Sequence, residues 1–60
     1  PVEFLTRQKL QAAVNDLLGT DKRVETIARE NGFSNGNYFG KVFRRYMGIS
    51  PGAYRERNRG

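Results

Sequence analysis

The chain has 60 residues, with 11 Lys or Arg, 6 Asp or Glu, and neither Cys nor His. A domain of this size buries only about 60% of its unfolded surface, and without disulfides, thiols or imidazoles for zinc its fold rests on packing alone. The net charge of +5 lies wholly in the second half: residues 1–30 hold five cations and five anions, whereas residues 31–60 hold six cations and one anion. Charge so placed favours a polyanionic partner, against the plain alternative of a solvated basic surface. No apolar run approaches membrane-span length and no signal-peptide pattern is present. The expectation is a cytoplasmic protein with no membrane partner, no metal and no cofactor.

Hydrophobic spacing predicts four helices and no strand. The first runs over residues 2–18, with Pro1 suited to the first helical position. Leu10, Ala13, Val14, Leu17 and Leu18 form one apolar stripe, and Gly19 ends the helix. Val2, Phe4 and Leu5 lie off that stripe. Either the helix start frays or these residues pack on something else. A second helix spans residues 22–31, with Thr20 or Asp21 as N-cap and Val24, Ile27 and Ala28 as its apolar face. Gly32 follows as a left-handed C-cap.

The third helix is expected over residues 35–47, capped by Ser34. Phe33 and Tyr38 have the spacing of a hydrophobic staple around that cap. Phe39, Val42, Phe43 and Tyr46 make the apolar stripe, and Gly48 terminates it. A short fourth helix covers residues 51–57, with Ser50 as N-cap, Pro51 in the first position and Ile49 stapled to Tyr54.

The polar side of the third helix holds the candidate site. On a helical wheel Gly40, Lys41 and Arg44 fall within about 60° of Asn37, opposite the aromatic stripe, with Tyr38 and Arg45 flanking. Asn can pair doubly with adenine, and Lys can reach the guanine acceptors. Gly36 and Gly40 remove bulk, so that backbone could approach a base edge or a phosphate, although each costs roughly 1 kcal/mol relative to Ala within a helix. The N-terminus of the helix would add free N–H groups. Taken singly, each residue has an ordinary explanation. Asn35 and Asn37 are common turn residues, a Gly can accommodate packing, and outward cations are usually just solvated. Together, a short helix, a Gly-containing turn and a second helix with a basic outer face have the helix-turn-helix layout.

The run "IARENGFSNGNYFGKVFRRYMGISPGAYR", from Ile27 to Arg55, closely resembles the C-terminal signature of AraC/XylS-type bacterial transcription regulators. Ile27-Ala28, Gly32-Phe33, Tyr38-Phe39, Phe43-Arg44, Gly48, Ser50-Pro51 and Tyr54-Arg55 all fall in register with it, and Leu10, Ala13 and Leu17-Leu18 match the pattern of the family's linker helix. The resemblance implies an all-α, homeodomain-like bundle of about four helices. Residues 1–60 would then be part of such a DNA-binding domain, with the linker helix at 2–18, the second helix-turn-helix unit at 22–47 and a closing helix at 51–57. It further implies a first helix-turn-helix unit and a sensor domain elsewhere, double-stranded DNA as partner, and RNA polymerase as a further one. Val2, Phe4 and Leu5 would face the first unit.

Carried over by position, the DNA-binding residues are Ser34, Asn35, Gly36, Asn37, Tyr38, Gly40, Lys41, Arg44 and Arg45. Arg44 matches a basic signature position suited to packing or phosphate contact. Tyr54 and Arg55 would close the fold, with Arg55 paired to an acid such as Glu25 or Glu30. Two departures stand out. Lys9 replaces a frequent Arg, and Gly36 with Gly40 leaves fewer reading side chains, which shifts the balance toward phosphate contact.

Other functions fit the residues less well. A degenerate helix-turn-helix that binds an acidic protein is the main alternative. A single-strand RNA reader would turn its aromatics outward, whereas Phe39, Phe43 and Tyr46 point inward. An enzyme lacks support, with no His, no Cys, no phosphate-binding Gly loop and no paired carboxylates beside the basic face.

Overall fold

A computed structural model describes residues 2–59. Four helices follow in chain order, α1 (Val2–Gly19), α2 (Val24–Glu30), α3 (Gly36–Met47) and α4 (Pro51–Arg57). Among the described residues there is no strand. Among these residues no helix is long and apolar enough to cross a membrane. Pro1 and the Val2 side chain, both named above, fall outside what is described.

Residues spaced three and four apart turn inward and meet. Leu10, Ala13, Val14 and Leu17 come from α1, Ile27 and Ala28 from α2, and Phe39 and Phe43 from α3; Phe33 fills the turn between α2 and α3. Phe39 and Phe43 are fully buried, which contributes about 1.5–3 kcal/mol for each side chain. Their rings belong to one aromatic file. Phe33 lies 4.8 Å from Phe39, Phe39 5.6 Å from Phe43, and Phe43 5.5 Å from Tyr54. That file ties the turn, α3 and α4 into one core. Arg7 adds an α1–α3 contact, its guanidinium 5.9 Å from the Tyr46 ring centre, near the limit of a cation–π interaction.

Leu18 departs from expectation. It is 49% exposed. Eight positions beyond Leu10 it sits about 80° around the helix, at the edge of the buried stripe. Phe4 and Leu5 are also exposed, at 59% and 56%, yet α1 is helical from Val2. Exposure, not fraying, marks the start of α1.

The helix ends show where short-range signals compete. Thr20 does not cap α2. Its hydroxyl donates to the Asp16 carbonyl at 2.7 Å and accepts the Lys22 N–H at 3.2 Å. It therefore closes the C-terminus of α1. Neither Thr20 nor Asp21 holds the cap position, and α2 starts two residues late, at Val24, with Arg23 there and no side-chain bond. Helix α2 also ends one residue before Asn31, whose amide instead bridges the Asp16 carboxylate (3.0 Å) and the Ile27 carbonyl (2.8 Å).

Gly32 adopts φ 90°. There its N–H donates to the Arg29 carbonyl and the Phe33 N–H to the Ala28 carbonyl, the paired bonds of a Schellman motif. Gly48, at φ 89°, ends α3 in the same left-handed region and donates to the Arg44 carbonyl. Ser50 caps α4 as expected, accepting the Ala53 N–H at 3.2 Å.

Arg55 pairs with neither Glu25 nor Glu30. Its Nε donates to the Leu17 carbonyl at 3.0 Å and its Nη2 to the Thr20 carbonyl at 3.2 Å. The last carbonyls of a helix lack intrahelical partners and carry partial negative charge, so they serve a guanidinium as well as a carboxylate would. Glu30 is held by Lys22 at 2.8 Å, and this carboxylate raises the pKa of the Lys22 ammonium. Glu25 is engaged with Arg29.

Candidate nucleic-acid interface

Helix α3 separates its residues sharply. Phe39 and Phe43 are fully buried and Val42 and Tyr46 pack against the core. Asn37, Lys41, Arg44 and Arg45 are exposed. The exposed side carries no acidic residue. Gly36, Asn37, Gly40, Lys41 and Arg44 line a shallow concavity with Ser50 from the turn before α4. Two ion pairs form among the described residues, Lys22–Glu30 and Arg29–Glu25. Neither involves Lys41, Arg44 or Arg45.

Asn35, not Ser34, caps the helix. Its backbone is extended at φ −163°, ψ 172°, and its Oδ1 accepts the Tyr38 N–H at 2.8 Å. Asn and Ser are nearly equal as N-caps, so the choice falls to backbone geometry. The shift moves the helix start to Gly36. It also makes Phe39, not Tyr38, the nearer partner of Phe33, at 4.8 Å against 6.3 Å. Tyr38 is left 52% exposed beside the polar face. Ser34 is exposed, with no side-chain cap bond to α3.

The two glycines play different parts. A Cβ on Gly36 would lie 2.5 Å from Glu25 Oε1. The bare backbone leaves room for that carboxylate against the start of α3, and the Gly36 N–H donates to Glu25 Oε2 at 3.2 Å. A Cβ on Gly40 would meet nothing within 4 Å. Gly40 thus leaves the middle of the exposed face open, and no packing among the described residues requires it.

The start of α3 is not the open cluster of N–H donors that its sequence suggested. Glu25 takes the Gly36 N–H and Asn35 the Tyr38 N–H. Glu25 and Ser50 were missed in the sequence. Ser50 reads there as a cap, which it is, and only the packing of α4 beside α3 brings it to the concavity. Glu25 sits eleven residues before Gly36, beyond the reach of local spacing rules.

A short helix, a turn closed by Gly32 and a second helix with a cationic outer face define a helix-turn-helix module. The chain matches the helix-turn-helix domain family over residues 1–57. It belongs to the AraC/XylS-type family of DNA-binding transcription regulators. Its relatives include the MmsAB operon regulatory protein of Pseudomonas aeruginosa, 32% identical over 98% of this chain and 19% of that protein. The HTH-type transcriptional activator RhaR of Klebsiella pneumoniae is 45% identical over 93% of this chain and 20% of its own length. The regulatory protein PocR of Salmonella typhimurium is 40% identical over 88% of this chain and 18% of its own. The chain therefore spans about a fifth of the length of the curated relatives it matches. No solved structure is a significant match.

Proposed function

We propose that the chain is the second helix-turn-helix unit of a bacterial transcription regulator and that α3 enters the DNA major groove. The observation that carries this is the concavity on α3, open at Gly40 and lined by Asn37, Lys41 and Arg44, with no acid on the helix. Asn37 and Lys41 line it on the exposed side of α3, at positions suited to base edges. Arg44, Arg45 and Tyr38 flank them at positions suited to phosphates, as does Ser34, the last residue before the cap. Gly40 lets the helix backbone come close to the duplex. Asn35 contributes by holding the helix start and Gly36 by leaving room for the Glu25 carboxylate, so their share in DNA contact is indirect.

In this reading α1 is the linker helix, and Phe4 and Leu5 cover their exposed surface against a first helix-turn-helix unit. A sensor domain and RNA polymerase are the remaining partners, the setting is the cytoplasm, and the module binds without performing chemistry. The test is fluorescence anisotropy of the intact protein on a duplex obtained by in vitro selection and on random duplex. Lys41→Ala should weaken the selected duplex more than the random one, whereas Arg45→Ala should weaken both alike. Equal losses for Lys41→Ala would remove its base-reading role. A wild-type protein that binds both duplexes no better than other proteins of equal charge would favour a protein-binding module instead.

A further inference from the structure

We propose that the groove between α1, the end of α3 and α4 binds a small aromatic monocarboxylate. The inference stands apart from DNA reading and concerns the opposite side of α3. Tyr46, which lines the groove, lies nine positions from Asn37, about 180° around the helix.

The groove encloses about 480 Å³, within the range of roughly 300–1,000 Å³ found for small-molecule sites. Its wall is apolar and aromatic. Leu10 and Val14 are buried, and Tyr46 and Tyr54 are half-buried beside Met47. Arg7 and Gln11 of α1 stand at its exposed edge, and no acid lines it. Arg7 has no carboxylate partner, since the ion pairs among the described residues are Lys22–Glu30 and Arg29–Glu25. Nor does any hydrogen bond among the described residues engage the side chains of Arg7, Gln11, Tyr46 or Tyr54. An apolar wall with a few convergent polar groups is the usual form of a ligand site, and here those polar groups have no partner of their own.

The lining chemistry names the ligand. A guanidinium fork matches a carboxylate through two parallel N–H bonds. Arg7 lies 5.9 Å from the Tyr46 ring centre, so a ligand held by it also meets that ring. One cation suits one negative charge. A phosphate would call for further cations, and none lines the groove. The two tyrosine rings favour a flat aromatic body through offset or edge contacts, and Leu10, Val14 and Met47 take apolar surface from water. The Gln11 amide and the tyrosine hydroxyls remain to hydrogen-bond a polar substituent.

The test is a saturation-transfer NMR titration of the intact protein with naphthaleneacetate, with its uncharged amide for comparison. The acid should bind saturably and about fivefold more tightly than the amide, the upper scale of an ion pair at an exposed guanidinium. Arg7→Ala should weaken the acid by about the same factor and leave the amide nearly unchanged. Gln11→Glu should do likewise, because a glutamate four positions along α1 gives Arg7 a partner within the chain. Both positions are exposed on a helix, so the fold should tolerate each change.

Random duplex should leave the acid bound, since α3 turns its cationic face the other way. Displacement by duplex would put the anion on Lys41 and Arg44 and overturn the inference. Absence of saturable binding would mean that another part of the intact protein fills the groove, and overturns it as well. So does equal binding of acid and amide, or a preference for the acid that survives both substitutions.

Discussion

Gly36 and Gly40 are one turn apart on α3 and answer to different constraints. Gly36 lies against Glu25, where a Cβ would collide, whereas Gly40 has no atom near enough to meet one. A residue whose side chain would have free space gains helix propensity when it becomes alanine. Gly40→Ala is therefore expected to stabilise the domain by roughly 0.5–1 kcal/mol, measured by urea denaturation. The same change should weaken DNA binding, because the added methyl stands where the backbone is to approach the duplex. Unchanged binding alongside higher stability would mean that the duplex stays clear of Gly40. The sequence shows both glycines equally well. It cannot show which one has a neighbour, since Glu25 arrives from another helix.

At the level of elements, the helices were legible because each has an apolar stripe at helical spacing and a punctuating residue. Gly32, Gly48 and Ser50 perform the terminating and capping roles that their positions suggest. The misses fall at helix starts, where two good capping residues stand side by side. Ser34 and Asn35 are both suitable, and so are Thr20 and Asp21. In the first case the extended backbone falls on Asn35. In the second, Thr20 turns back to the Asp16 carbonyl, so α2 starts without a side-chain cap. The assignment to Asn35 has a direct check. Asn35→Ala should cost about 1 kcal/mol, and Ser34→Ala should stay within about 0.5 kcal/mol of the wild type, both read from the urea midpoint. A larger loss for Ser34→Ala would return the cap to Ser34. The site was half legible for a similar reason. The cationic face of α3 follows from periodicity, but Glu25 and Ser50 join it only through packing.

For the molecule as a whole, Arg55 is the residue whose role the sequence concealed. Charge pairing on paper offers it Glu25 and Glu30, but a helix end is an acceptor that no residue letter records. With its Nε and Nη2 on the Leu17 and Thr20 carbonyls, it clasps α4 to the end of α1. Removing a charged donor from partly buried acceptors costs about 1.5–3 kcal/mol. In a domain this small that is a large share of the stability. Arg55→Ala should lower the thermal midpoint sharply. Arg55→Lys should recover only part of the loss, because an ammonium cannot match the guanidinium fork. Full recovery by Lys would mean that charge alone matters. The clasp also has a consequence in time. It joins residues 38 positions apart, whereas the helices and the α2–α3 turn form from neighbours. Distant contacts carry the greater loop-closure entropy, so this one is expected to close after the folding barrier has been crossed. Its loss should then leave the refolding rate nearly unchanged and appear as faster unfolding. In a stopped-flow chevron the Arg55→Ala unfolding arm would rise while the folding arm stays in place. Arg55 would thus govern how long the folded domain lasts once it has formed, and have little say in how quickly it forms.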